Sequence, residues 1–141
     1  MAYDFQVVID SHDPHVLADW WAEAIGWVVE PTDEDFIRKM VAEGYAREED
    51  TTTHRGTLVW REGAAITSPD PDRPRVLFQL TPEAKTVKNR LHLDLRVGEE
   101  RHQAEVARLT GMGATELWRG RQGPHTWVTM ADPEGNEFCV A

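Results

Sequence analysis

Cysteine is scarce in this sequence, and basic charge is outnumbered. Fifteen Lys and Arg stand against 25 Asp and Glu, a formal net charge of -10. Such a balance opposes nonspecific attraction to nucleic acid or anionic membrane, and no block of like charge forms a binding tail. Neither nucleic acid nor a membrane is an expected partner. The lone cysteine, Cys139, rules out an internal disulfide. No apolar run approaches the ~20 residues that span a bilayer, and the opening Met-Ala-Tyr-Asp-Phe lacks the basic segment and apolar run of a secretion signal. A soluble, cytoplasmic protein is expected. What is present suffices for a core, because 141 residues, 40% of them apolar, fit one compact domain or two small fused modules.

Hydrophobic periodicity divides the chain. Tyr3 to Asp10 alternates and reads as a strand, with Phe5, Val7 and Ile9 on one face. Asp13-Pro14 then opens a helix whose stripe is Val16, Leu17, Trp20, Trp21 and Ala24, ended by Gly26. Trp27 to Glu30 is the next expected strand. Asp33 to Gly44 has helical spacing, Arg47 to Arg55 reads as a polar loop, and Thr57 to Arg61 and Arg75 to Leu80 read as strands. The second half starts over with a strand at Arg90 to Val97. A helix follows, from Glu99-Glu100 to Gly111 and Gly113, with Val106, Ala107 and Leu109 towards the core. Ala114 to Trp118, His125 to Met130 and Glu137 to Val140 supply three more strands, the last two joined by the turn Asp132-Pro-Glu-Gly-Asn136.

Both halves therefore read strand, helix, three strands. Gln6 stands seven residues before Asp13, and His92 stands seven before Glu99, so the halves are offset by 86. A repeat this long is a duplicated supersecondary unit, since solenoid periods run only to about 50 residues. Each module has too little core to be stable alone, so the two are expected to pair. The stretch Asn89-Arg-Leu-His-Leu-Asp-Leu-Arg96 is the most informative, because alternation puts Leu91, Leu93 and Leu95 on one face and His92, Asp94 and Arg96 on the other. A histidine, a carboxylate and a guanidinium in a row suggest the lining of a polar cavity.

These features resemble the vicinal oxygen chelate superfamily, and within it the glyoxalase-like domains grouped with bleomycin-resistance proteins and extradiol dioxygenases. The resemblance covers nearly the whole chain. It rests on the paired modules, on Ile9-Asp-Ser-His-Asp-Pro14 followed by Leu17-Ala-Asp-Trp-Trp21, on Asn89 to Arg96, and on Asp132-Pro-Glu-Gly-Asn-Glu-Phe138, the most specific of them. It implies an α+β fold in a single domain over 1–141. Two paired βαβββ modules, about 1–82 and 89–141, would form a curved mixed-sheet cup with helices on the convex side. It further implies one divalent metal ion in the cavity, with Gln6 and His92 at first-strand ligand positions and Gln79 as the module-one counterpart of the last-strand ligand. The family's carboxylate there falls at Cys139. Two neutral glutamines and a thiol suit Mg²⁺ or Mn²⁺ poorly, and a shifted site using His92 and Glu137 is the alternative.

The expected cavity residues are Gln6, Gln79, His92, Asp94, Arg96 and Glu137, with Trp60, Trp118 and Trp127 as candidate stacking walls. In a metal-assisted lyase or isomerase, Glu137 or Asp94 would shuttle a proton. In a bleomycin-resistance-like binder, the same cavity sequesters a small polar or anionic molecule without chemistry. Asp94 and Arg96 read equally as an ion pair bracing the cup. Lys85, Lys88, Arg90, Arg96, Arg119 and Arg121 would favour an anion if they converge at the mouth. The long connection Asp33 to Arg55 is a candidate lid presenting Phe36, Ile37, Met40 or Tyr45. A homodimer is the expected assembly, by the same resemblance.

Overall fold

The computed structural model describes residues 1–141, which fall into two compact units, Met1–Pro82 and Glu83–Ala141. In the first, β1 (Val7–Ser11) leads into α1 (Pro14–Ile25), β2 (Val28–Val29) and α2 (Glu34–Ala42). A hairpin, β3 (Thr51–His54) and β4 (Thr57–Trp60), precedes β5 (Gly63–Thr67) and β6 (Val76–Leu80). In the second, β7 (Asp94–Leu95) leads into α3 (His102–Gly111), β8 (Thr115–Gln122), β9 (His125–Ala131) and β10 (Glu137–Val140). The fold is α+β, with two βαβββ modules.

The sheets show the duplication directly. Module one has strand order β1-β6-β5-β2 and module two β7-β10-β9-β8. In each, the first strand runs parallel to the last, and every other neighbour is antiparallel. Numbered within its own module, each sheet reads first, fourth, third, second.

Local chemistry fixes the helices. The Asp13 carboxylate accepts the Val16 N–H, Pro14 fills the first helical position, and Gly26 ends α1 at φ +71°. Leu17, Ala18, Trp20 and Trp21 are buried and pack α1 on β5 and β6, while Val16, placed on this stripe by its spacing, is exposed. Asp33 caps α2 in the same way. In module two, Val106 and Leu109 are buried and α3 lies against β8 and β10. Ala107 is exposed, one position off the buried stripe.

Module one departs from the sequence expectation in its middle. Thr57 to Arg61 is not a strand of the main sheet; Thr57–Trp60 pairs with Thr51–His54 in a separate two-stranded sheet, so the supposed loop Arg47 to Arg55 holds a short 3₁₀ turn and a strand. Polar Thr51-Thr-Thr-His54 has no apolar alternation to betray it. The missing main-sheet strand is β5, whose Gly-Ala-Ala-Ile-Thr is small and unpatterned yet lies between β6 and β2. A Cβ on Gly63 would stand 2.8 Å from the Phe78 carbonyl oxygen, so close backbone approach selects glycine there. The hairpin turns at Arg55 and Gly56, both at positive φ. It is held to α1 by Asp19, whose Oδ2 lies 2.6 Å from His54 Nε2 and 3.2 Å from Arg55 Nε.

The strand expected over Arg90 to Val97 is also shorter. Only Asp94–Leu95 qualifies as strand, and the parallel ladder begins where Cys139 N–H donates to the Leu93 carbonyl. Leu91 is 89% exposed. The cause lies just upstream. Glu137 binds the Asn89 N–H and Asn136 accepts from the Asn89 amide, so the chain is tied to the end of β10 before it can join the ladder.

Candidate functional site

Cross-strand register builds the site. Asp94 on β7 lies opposite Cys139 on β10, Cys139 opposite Thr129 on β9, and Thr129 opposite Trp118 on β8. These four side chains form one row across the sheet. Val128, Met130, Phe138 and Val140 are essentially fully buried, and alternation puts them on the opposite face from that row. A β-bulge in β8 between Glu116 and Trp118 decides which residue completes the row. Without the extra residue, Leu117 would face Thr129 in place of Trp118.

The row borders a cavity of about 360 Å³ that His92, Trp127, Glu137 and Lys88 also line. Trp127 pairs with Gly120 across β8 and β9, and a Cβ on Gly120 would fall within its indole ring. The ring therefore lies over bare backbone, preset before any ligand arrives. His92 Nε2 stands 3.2 Å from Asp94 Oδ1. Thr129 Oγ1 and Cys139 Sγ are 3.4 Å apart, and one donor atom from each of His92, Asp94 and Cys139 falls within 4.8 Å of the others.

Glu137 sits at the end of the cavity with both oxygens engaged. Lys85 Nζ donates to Oε1 at 2.6 Å and the Asn89 N–H to Oε2 at 3.0 Å. Burial pushes its carboxyl pKa up, but the Lys85 ammonium and the Asn89 N–H outweigh burial and hold it below the ordinary carboxylate value. Cys139 moves the other way. Burial raises its thiol above the ordinary value, the Thr129 hydroxyl opposes this, and the Asp94 charge adds to the rise.

The remaining sequence-predicted residues lie elsewhere. Trp60 and Gln79 share a module-one cavity of about 790 Å³ with Tyr45, Leu77 and Glu62. Tyr45, three residues past the end of α2, lines it, whereas Phe36 is exposed and Ile37 is buried, so only the tail of the supposed lid reaches a cavity. Gln6 accepts from Arg75 Nε at 2.8 Å, outside that cavity. Arg96 is exposed and lines neither cavity. The basic residues do not converge, since Lys85 holds Glu137, Arg119 pairs with Glu116, Arg121 donates to Gly123, and only Lys88 of the set lines the module-two cavity.

Register also moves one assignment. Val8 lies opposite Leu77, and the difference between Asp94 and Val8 is again 86. The module-one counterpart of Cys139 is therefore Leu77, and Gln79 lies opposite Asp10 instead. Thr129 escaped the sequence reading, although the parity of His125 to Met130 puts it, with His125, on the Trp127 face.

The donors test whether a divalent ion suits this chain. One imidazole, one carboxylate and one thiol fit a zinc-class ion, whereas Mg²⁺ prefers an all-oxygen octahedron. His92, Asp94 and Cys139 would hold such an ion. Within module one, Gln6 is engaged by Arg75.

A family model described as the glyoxalase-like domain matches residues 6–141. Three solved structures are similar in fold. A glyoxalase/bleomycin resistance protein/dioxygenase family enzyme from Burkholderia phytofirmans PsJN is 14% identical at TM-score 0.62, with 96% of this chain and 94% of that one covered. The fosfomycin resistance protein FosX from Mesorhizobium loti is 7% identical at TM-score 0.64, covering 99% and 90%. A hypothetical protein from S. aureus is 11% identical at TM-score 0.64, covering 99% and 93%. A comparison with curated proteins found no match. No helix is long and apolar enough to cross a membrane.

Proposed function

The chain belongs to the glyoxalase-like domain family, and from that premise we propose that it binds a small polar or anionic organic molecule against the module-two sheet. Family membership supplies a scaffold and leaves the ligand to the side chains. One observation carries the reading: Trp127 is preset over Gly120 beside the row Trp118, Thr129, Cys139 and Asp94. Aromatic walls around a few hydrogen-bonding groups are the usual make-up of a small-molecule site. In this reading Trp118 and Trp127 stack on a flat part of the ligand, His92 and Asp94 orient its polar end, and Lys88 offers the positive charge. Trp60 and Gln79 line a cavity of module one.

A metal-assisted lyase or isomerase is the second reading, favoured by the His92, Asp94 and Cys139 cluster. An ion there would supply Lewis-acid polarisation of a substrate oxygen. The engaged oxygens and lowered pKa of Glu137 suit it to anchoring the chain rather than to moving a proton. A cytoplasmic homodimer completes the proposal, with sedimentation velocity as its check.

Tryptophan fluorescence tests the binding reading. Titration with planar carboxylates and phosphonates is expected to give saturable quenching, weakened at least about tenfold in Trp127→Ala, the loss typical of a stacked aromatic anchor. A flat response across such a library counts against it.

A further inference from the structure

We infer that the module-one cavity is a second small-molecule site whose ligand is an organic cation, an amine or quaternary ammonium group carried on an aromatic or aliphatic body. It stands apart from the module-two ligand, because every residue involved lies in module one.

The cavity is built by a stretch with no counterpart in module two. There the strands β8 and β9 are joined by the turn Gly123-Pro124, whereas module one passes from β2 through α2 and the β3–β4 hairpin before it reaches β5. That stretch brings Tyr45 and Trp60 to the same cavity as Leu77 and Gln79 of β6, around about 790 Å³. A volume of this order with an aromatic and aliphatic wall fits an organic molecule. Tyr45 is 80% exposed, which leaves most of its ring free for a ligand.

Charge selects the class of ligand. The charged residues on the wall are Glu49, Asp50, Arg61 and Glu62. Arg47 bridges the first two, with Nη1 2.9 Å from Glu49 Oε1 and Nη2 3.6 Å from Asp50 Oδ1. Arg61 is turned onto the main chain, its Nε donating to the Glu49 carbonyl and its Nη2 to the Thr51 carbonyl, each at 2.9 Å. Glu62 remains, exposed and with no ion pair or hydrogen bond on its carboxylate. An unmatched carboxylate beside two aromatic rings attracts a cation, by direct charge and by the negative faces of the rings. The same carboxylate repels an anion. A hard metal ion is a poor occupant, because Mg²⁺ or Ca²⁺ takes about six oxygen ligands or more and the wall offers one free carboxylate. The net charge of -10 draws cations towards the molecule.

Calorimetric titration of the full chain with three small molecules that share one ring reads the site: benzyltrimethylammonium, benzyl alcohol and phenylacetate. The cation is expected to bind about tenfold tighter than the neutral alcohol, and the anion more weakly than either. In nitrogen-15 spectra the cation should move the Trp60 indole N–H and the amides of Gly63, Leu77 and Gln79. Glu62→Gln and Tyr45→Ala change exposed side chains and should keep the wild-type circular dichroism. The first is expected to remove most of the preference for the cation over the alcohol, and the second to weaken the cation about threefold. A cation that gives no saturable heat, or that binds no tighter than the alcohol, overturns the proposal. So does a full preference for the cation in folded Glu62→Gln. Shifts at Trp118 and Trp127 in place of Trp60 overturn it as well, by assigning the cation to module two.

Discussion

In module two the row from β7 to β8 carries Asp94, Cys139, Thr129 and Trp118, whereas the matching row of module one carries Val8, Leu77, Ala65 and Glu30. The ladders are the same and the chemistry is not. Duplication preserved what main-chain hydrogen bonds specify, namely strand order and register, and left the side chains on the row free to diverge. Module two concentrated donors there. Module one carries the apolar Val8, Leu77 and Ala65 there, and its hairpin brings Trp60 to a cavity that Tyr45, three residues past the end of α2, also lines.

The shared half of this comparison is tested by the cores. Phe78 and Phe138 are the largest fully buried side chains of their modules, and Phe78→Ala or Phe138→Ala is expected to cost about 3–5 kcal/mol each in urea unfolding. A large loss in only one variant would break the equivalence of the two cores.

The next effect belongs to module two alone. Lys85→Met leaves the buried Glu137 carboxylate without its cation, at a cost of about 3 kcal/mol near neutral pH. The folded pKa of Glu137 lies below the ordinary 4.5, so its charge contributes stability that is present above the unfolded value and is lost as pH falls through the folded one. The gap between wild type and variant should therefore narrow below about pH 4.5 in urea midpoints. A gap that widens in acid would refute the anchor.

Gly120→Ala forces the Trp127 ring from its place and should cost about 1–3 kcal/mol. The same change is expected to alter the tryptophan emission spectrum, and an unchanged spectrum would remove the preset wall. The smallest contrast is at the helix starts. Asp13→Ala removes the cap of α1, worth about 1 kcal/mol in thermal melts. Arg101→Ala at the start of α3, where no side chain caps, should stay within about 0.5 kcal/mol.

Patterned and locally capped elements were legible in the sequence. The Asp13 and Asp33 caps, the Gly26 stop, and β9 and β10 stand within a residue or two of their expected places, since each depends on neighbours in sequence. Strand β5 was invisible because its burial comes from position in the sheet and not from pattern. The site was half legible. Alternation found His92, Asp94, Trp127 and Glu137, but the engagement of Glu137 depends on Lys85, 52 residues away. Trp118 reaches the row through a bulge that leaves no mark in composition.

The β3–β4 hairpin pairs with no strand of the main sheet. It is tied to α1 by Asp19 to His54 and Arg55 and by His15 to His54 and the Trp60 carbonyl, and to α2 by the Leu58 N–H on Glu34. Because no main-sheet ladder runs through it, a change confined to its exposed turn at Arg55 and Gly56 leaves the β5–β6 register untouched.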